Sequence, residues 1–172
     1  RVLFRSGNKD LDDIYDNIYV ESIEAANLIP KRIDKNNSGF LLKSEIVGYI
    51  EKAEIIIADL TNERPNCYLE IGYAMGLDKF KNLIFTVRED HFPDNKDYKK
   101  GGPKIHFDVS GYEILSWNPN NLEDFKTALT NKIERRLATI NSANSGTSEL
   151  LIKDNWIEEQ QKIIKEKFSS TG

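Results

Sequence analysis

Residues 54–77 read EIIIADLTNERPNCYLEIGYAMGL. An apolar run, Ile55 to Ala58, ends in Asp59. Such a run, without polar alternation, is the pattern of a strand covered on both faces. A short polar loop follows, and Pro65 then suits the first turn of a helix, where a missing N–H costs nothing. That helix carries one acid, Glu70, among apolar neighbours and near two glycines. The spacing places two carboxylates at the carboxyl end of a buried strand and in the first turns of the next helix. In open α/β sheets ligands bind at this edge.

Working outward, strands and helices alternate. Val2–Phe4 reads as a short buried strand, and Leu11 to Ala26 carries apolar residues at helical spacing. Leu28–Ile33 is predicted as a second strand, with Pro30 marking an edge position. A polar loop at 34–39 leads to a helix with Leu42, Ile46, Tyr49, Ile50 and Ala53 on one face. Leu83–Val87 is another buried strand. The charged stretch 88–103 reads as a long surface loop. Ile105–Phe107 and Tyr112–Trp117 read as short strands, and Leu122, Phe125, Leu129, Ile133 and Leu137 form a helical stripe. A Ser/Asn/Gly stretch at 141–147 is expected to link a domain at 1–140 to a C-terminal helix within 148–172. The alternation implies an α/β fold with a doubly wound, flavodoxin-like parallel sheet of about five strands, in the order 2-1-3-4-5, plus that helix.

Composition bounds the function classes. The 172 residues are 39 % apolar and 30 % charged, which suits a soluble globular domain. A net charge of −4 argues against a nucleic-acid partner, which calls for a basic face. The one cysteine, Cys67, excludes an internal disulfide and suits a reducing, cytoplasmic location. No apolar run approaches the ~20 residues that span a bilayer. Two histidines without clustered ligands give no metal site.

Several side chains are candidates for chemistry. Asn66 and Glu70 are four apart and share a helix face, which Tyr73 continues, while Cys67, Ile71, Ala74 and Met75 supply the face for the sheet. Gly72 and Gly76 suggest that a strand or ligand approaches the helix closely. Arg5 and Ser6 follow the first strand, where they could meet a phosphate or base. Asp34, after the second, stands where a ribose hydroxyl is held in dinucleotide folds, and Arg32 could take a phosphate. Competing readings stand beside these: Glu70 as an acid favoured by a helix N-terminus, Asp59 as a capping or loop acid, Arg32 and Asp34 as a surface ion pair.

The motifs K-R-I-D at 31–34, A-D-L-T-N-E-R-P-N at 58–66, Y-L-E-I-G-Y-A at 68–74 and H-F-D at 106–108, with Tyr112 and Trp117, carry a resemblance. Over residues 2–137 the chain resembles the nucleoside 2-deoxyribosyltransferase-like superfamily, and more closely a bacterial, nucleotide-binding branch grouped with Toll/interleukin-1-receptor (TIR)-like proteins. In the transferases the glutamate matching Glu70 attacks the anomeric carbon of the sugar. In TIR-domain NAD glycohydrolases a glutamate on the corresponding helix serves the same bond. The resemblance implies Glu70 and Asp59 as catalytic acids, with Arg5, Ser6, Arg32, Asp34, Arg64, Asn66, Tyr73 and Asp108 around a nucleotide, nucleoside or NAD. NAD would be a substrate, and no cofactor is implied. Where the transferases carry a further acid, six residues before the glutamate, this chain has Arg64, which suits a phosphorylated ligand. The expected activity is hydrolysis or transfer at an N-glycosidic bond. The alternatives are a nucleotide sensor without turnover and a TIR-like interaction module that forms homo-oligomers.

Overall fold

A computed structural model describes residues 2–3, 9–32 and 42–143. Four strands are described: β1 (Val2–Leu3), β2 (Ile56–Asp59), β3 (Leu83–Arg88) and β4 (Ile114–Trp117). They form one parallel sheet in the order β1-β2-β3-β4. In register, Leu3 pairs with Ala58, Asp59 with Thr86, and Arg88 with Trp117. All four residues of β2 and the first five of β3 are buried, as their apolar runs require.

The helices are α1 (Lys9–Ile14), α2 (Val20–Ala25), α3 (Leu42–Lys52), α4 (Pro65–Gly76), α5 (Phe107–Ser110) and α6, residues 122–143. A π-helical segment, Tyr15–Tyr19, joins α1 to α2 without a break and turns Tyr15, Ile18 and Tyr19 inward. By compactness the chain divides into Arg1–Leu137 and Ala138–Gly172. Of the second unit only 138–143 are described, the end of α6, where Ser142 Oγ donates to the carbonyl of Ala138 at 2.8 Å. Helix α6 thus runs three residues into the expected linker. The rest of that linker and the expected C-terminal helix at 148–172 lie outside the described residues.

Two expected strands are corrected. Residues 28–31 form no ladder, and only Arg32 makes a bridge. Asn27, at φ 58°, ends α2 in a Schellman turn. The amide of Leu28 donates to Ile23 O (3.1 Å) and that of Asn27 to Glu24 O (2.9 Å), so Leu28 is spent on the helix end. Ile29 is left 78 % exposed. At the other site Ile105 is irregular and Phe107 opens α5, so no strand forms at Ile105–Phe107. Four of the six stretches read as strands therefore form strands, and a fifth strand is not seen among the described residues.

The sheet separates two layers. Ile56, Ala58, Leu60, Leu83, Phe85 and Val87 share a core cluster with Ile50 and Ala53, and with Cys67, Ile71 and Ala74 of α4. With a side-chain period of two, Ile57, Asp59, Ile84 and Thr86 face the opposite way. There Tyr19 sits edge-on to Phe125 of α6, ring centroids 6.0 Å apart.

The glycines of α4 do not serve a close approach among the described residues. A Cβ built on Gly72 or Gly76 meets nothing within 4 Å. Gly72→Ala is therefore expected to stabilise the protein by up to ~1 kcal/mol, the helix-propensity difference. Urea unfolding followed by circular dichroism reads it, and a loss of stability would mean that something packs on this face.

Candidate functional site

Glu70 lies five residues into α4, half-buried, where two hollows meet. The larger, of about 330 Å³, runs between helices, with Ile46, Val47 and Ile50 of α3 on one wall and Asn66, Leu69, Glu70 and Tyr73 of α4 on the other. The α4 residues are spaced i, i+3, i+4, i+7, a single helical stripe. The smaller, of about 240 Å³, is formed by Arg64, Pro65, Asn66 and Glu70 at the helix N-terminus. The Tyr73 hydroxyl donates to Glu51 Oε1 of α3 at 3.0 Å and ties the two walls together. The site thus offers an apolar slot, one carboxylate at its polar end, and a guanidinium beside a helix N-terminus, which attracts anions.

Asp59 is not part of it, which corrects the expectation of two carboxylates in one cleft. Asp59 is 1 % exposed. Its Oδ2 accepts from Trp117 Nε1 (2.9 Å), the Tyr19 hydroxyl (2.6 Å) and Thr86 Oγ1 (2.9 Å). Its Oδ1 accepts from the backbone N–H of Thr61 at 2.9 Å. The Tyr19 and Thr86 hydroxyls are also 2.7 Å apart, so two hydroxyl protons serve three contacts. Burial first, then the charge of Asp59 and its hydrogen bond, push the Tyr19 phenol well above its ordinary value, so it remains a donor. The strand's alternation explains the placement: α4 packs on the face bearing Ala58 and Leu60, and Asp59 points to the other. In the sequence, the apolar neighbours Ala58 and Leu60 are the feature that fits this role. Nothing in the sequence ties Tyr19, Thr86 or Trp117 to Asp59, because they come from three separate segments.

No family model, curated protein or solved structure matches this chain. The resemblance to deoxyribosyltransferase-like and TIR-like proteins rests on the motif residues alone.

Of the other candidates, Arg64, Asn66 and Tyr73 gather with Glu70. Arg32 does not. It is 8 % exposed, pairs with Asp12 of α1 and lies 4.8 Å over the ring of Tyr15, so it braces the first helix instead of awaiting a phosphate. Asp108 is exposed on α5 and does not line either hollow. Arg5, Ser6 and Asp34 lie outside the described residues. Cys67, between the two carboxylates, is buried and its thiol is 3.5 Å from the carbonyl oxygen of Asp59. Burial, then the charges of Glu70 and Asp59, push that thiol far up, so it is no nucleophile. Among the described residues no cluster of three His, Cys, Asp or Glu could hold a metal, and no helix is long and apolar enough to cross a membrane.

If Asp59 is structural, Asp59→Asn should cost roughly 2–4 kcal/mol, because an amide cannot accept from all four donors. Thermal and urea unfolding should show the loss. Intact stability combined with lost ligand binding would instead make Asp59 a ligand contact.

Proposed function

We propose that the protein binds a nucleotide, nucleoside or NAD in the α3–α4 groove, and that Glu70 acts on its N-glycosidic bond. The observation that carries this reading is the position of Glu70 at the junction of the apolar slot and the Arg64 hollow. A base or sugar is mostly flat or apolar in its faces and suits the slot. A phosphate suits Arg64 and the helix N-terminus.

The chemistry follows from one carboxylate. As the C1′–N bond breaks, its electron pair leaves with the base and positive charge grows on the sugar. Glu70 Oε stabilises that charge or bonds to C1′. Water then attacks C1′ and gives up a proton, and Glu70 is restored as a carboxylate. A purine or pyrimidine base takes up that proton through solvent, whereas nicotinamide leaves NAD already neutral and the proton stays in solvent. An acceptor sugar or base in place of water would make the same step a transfer. Asn66, one turn before Glu70 and lining both hollows, would hold a sugar hydroxyl.

A second reading, a nucleotide sensor without turnover, is favoured by one specific observation. Asp59, the expected partner acid, is consumed by its four donors, which leaves Glu70 without it. Chromatography separates the readings by measuring free base released from NAD, deoxynucleoside monophosphates and nucleosides. The catalytic reading expects release by the wild type, lowered on the order of a thousandfold or more in Glu70→Gln with affinity nearly unchanged, because the charge acts mainly in the transition state. Undiminished release by Glu70→Gln would overturn the mechanism. Binding without release by the wild type would establish the sensor.

A further inference from the structure

The loop from β2 into α4 is held in a conformation that its residues do not favour. Asn62 has φ 67° and Glu63 φ 46°, both left-handed. Asparagine tolerates this region, but glutamate is uncommon in it. Two such residues in succession persist only where their surroundings impose them. Thr61 is fixed on both sides, its N–H by Asp59 and its Oγ1 by the backbone N–H of Arg88 at 2.9 Å. The Glu63 N–H donates to Leu60 O at 3.2 Å.

The remaining clamp on Asn62 is a histidine. His91, 2 % exposed, follows β3, and its Nε2 accepts the backbone N–H of Asn62 at 2.8 Å. A ring nitrogen that accepts carries no proton, so in the neutral ring the proton is on Nδ1. Nδ1 lies 2.7 Å from Asp90 Oδ1 and donates to it. Asp90 stays ionised. Burial alone would raise its carboxyl, but hydrogen bonds from Arg88 and His91 outweigh that and hold it below its ordinary value. Arg88 Nε donates to the same Oδ1 at 2.8 Å, and its Nη1 reaches Asp10 of α1 at 3.1 Å. Asp97 and Lys99 face His91 across a hollow of about 270 Å³.

We infer that His91 is a proton-operated latch on the loop that aims Arg64 and the N-terminus of α4. Neutral, the ring accepts from Asn62 and holds the left-handed turn. A proton added at Nε2 sets N–H against N–H, the hydrogen bond breaks, and Asn62 is released. Asp90 cannot prevent this, because it faces the other nitrogen. The second histidine works in the opposite sense. His106 stacks on Tyr68, ring centroids 4.3 Å apart, and its Nε2 lies 3.3 Å from a carboxylate oxygen of Glu63, a pair that strengthens on protonation. His106 is 47 % exposed at its side chain, so this pair is screened and holds weakly. Acid therefore frees the Asn62 end of the loop and leaves the Glu63 end tethered. The latch does not depend on what ligand the groove takes or on any turnover.

Long-range proton–nitrogen NMR of the whole chain tests this between pH 8 and pH 5. At pH 8 the His91 ring should be the neutral Nδ1–H form. On acidification the Asn62 amide should move upfield and lose roughly tenfold of its exchange protection, after correction for the intrinsic rate, as for one net hydrogen bond. His91→Gln, which keeps an acceptor but does not titrate, should abolish the response, and His106→Gln should leave it in place. An Nε2–H ring at pH 8, an Asn62 amide unmoved down to pH 5, or a response retained in His91→Gln would each overturn the latch. If His91→Gln does not fold, the wild-type ring form and the Asn62 amide decide alone.

Discussion

A buried carboxylate ties the described fold together. Asp59 ends β2, and its donors come from the π-helical segment (Tyr19), β3 (Thr86), β4 (Trp117) and the loop it opens (Thr61). A charge removed from water is tolerated only when its lone pairs are filled. Each donor must therefore reach one point, which constrains the approach of the first helix, the register of β2 on β3 and the end of β4. The π-helical turn brings Tyr19 into this arrangement. Removing one partner would leave a buried polar group unmatched, a larger cost than a single net hydrogen bond.

The same carboxylate shapes the loop into α4. Oδ1 of Asp59 fixes the amide of Thr61, Thr61 fixes Arg88, and Arg88 fixes Asp90 beside His91. The left-handed residues Asn62 and Glu63 are the outcome, and Arg64 follows them as the cap of α4. A polar network on one side of the sheet thus positions a groove on the other. Glu70 stays half-buried in the lining of that groove.

Much of this was legible in the chain. The continuous runs at Ile55–Ala58 and Leu83–Val87 gave strands, Pro65 gave the start of α4, and the apolar positions Cys67, Ile71 and Ala74 gave its buried face. The shared face of Asn66, Glu70 and Tyr73 followed from helical spacing, whereas Arg64 stood out only through the resemblance. Other features were hidden for physical reasons. The stretch 28–33 reads as a strand by composition, but the Leu28 amide is used to end α2, and no pattern of hydropathy reveals that. Ile105–Phe107 is apolar enough for a strand, yet a short helix forms there. Asp59 was assigned to a cleft because a strand's carboxyl edge is where ligands bind. The period of two turned it away, and its side-chain donors, 27 to 58 residues distant in the chain, are visible only in the fold.

In the proposed function, structure falls to Asp59 and chemistry to Glu70, two acids eleven residues apart in the sequence. Chemical-shift mapping with adenosine monophosphate and NAD tests this division on the intact protein. The expected result is movement of the Asn66 side-chain amide and of backbone amides from Arg64 to Tyr73, with the Trp117 indole N–H, bonded to Asp59, unmoved. Perturbation centred on the Trp117 indole and Thr61, with α4 silent, would contradict it.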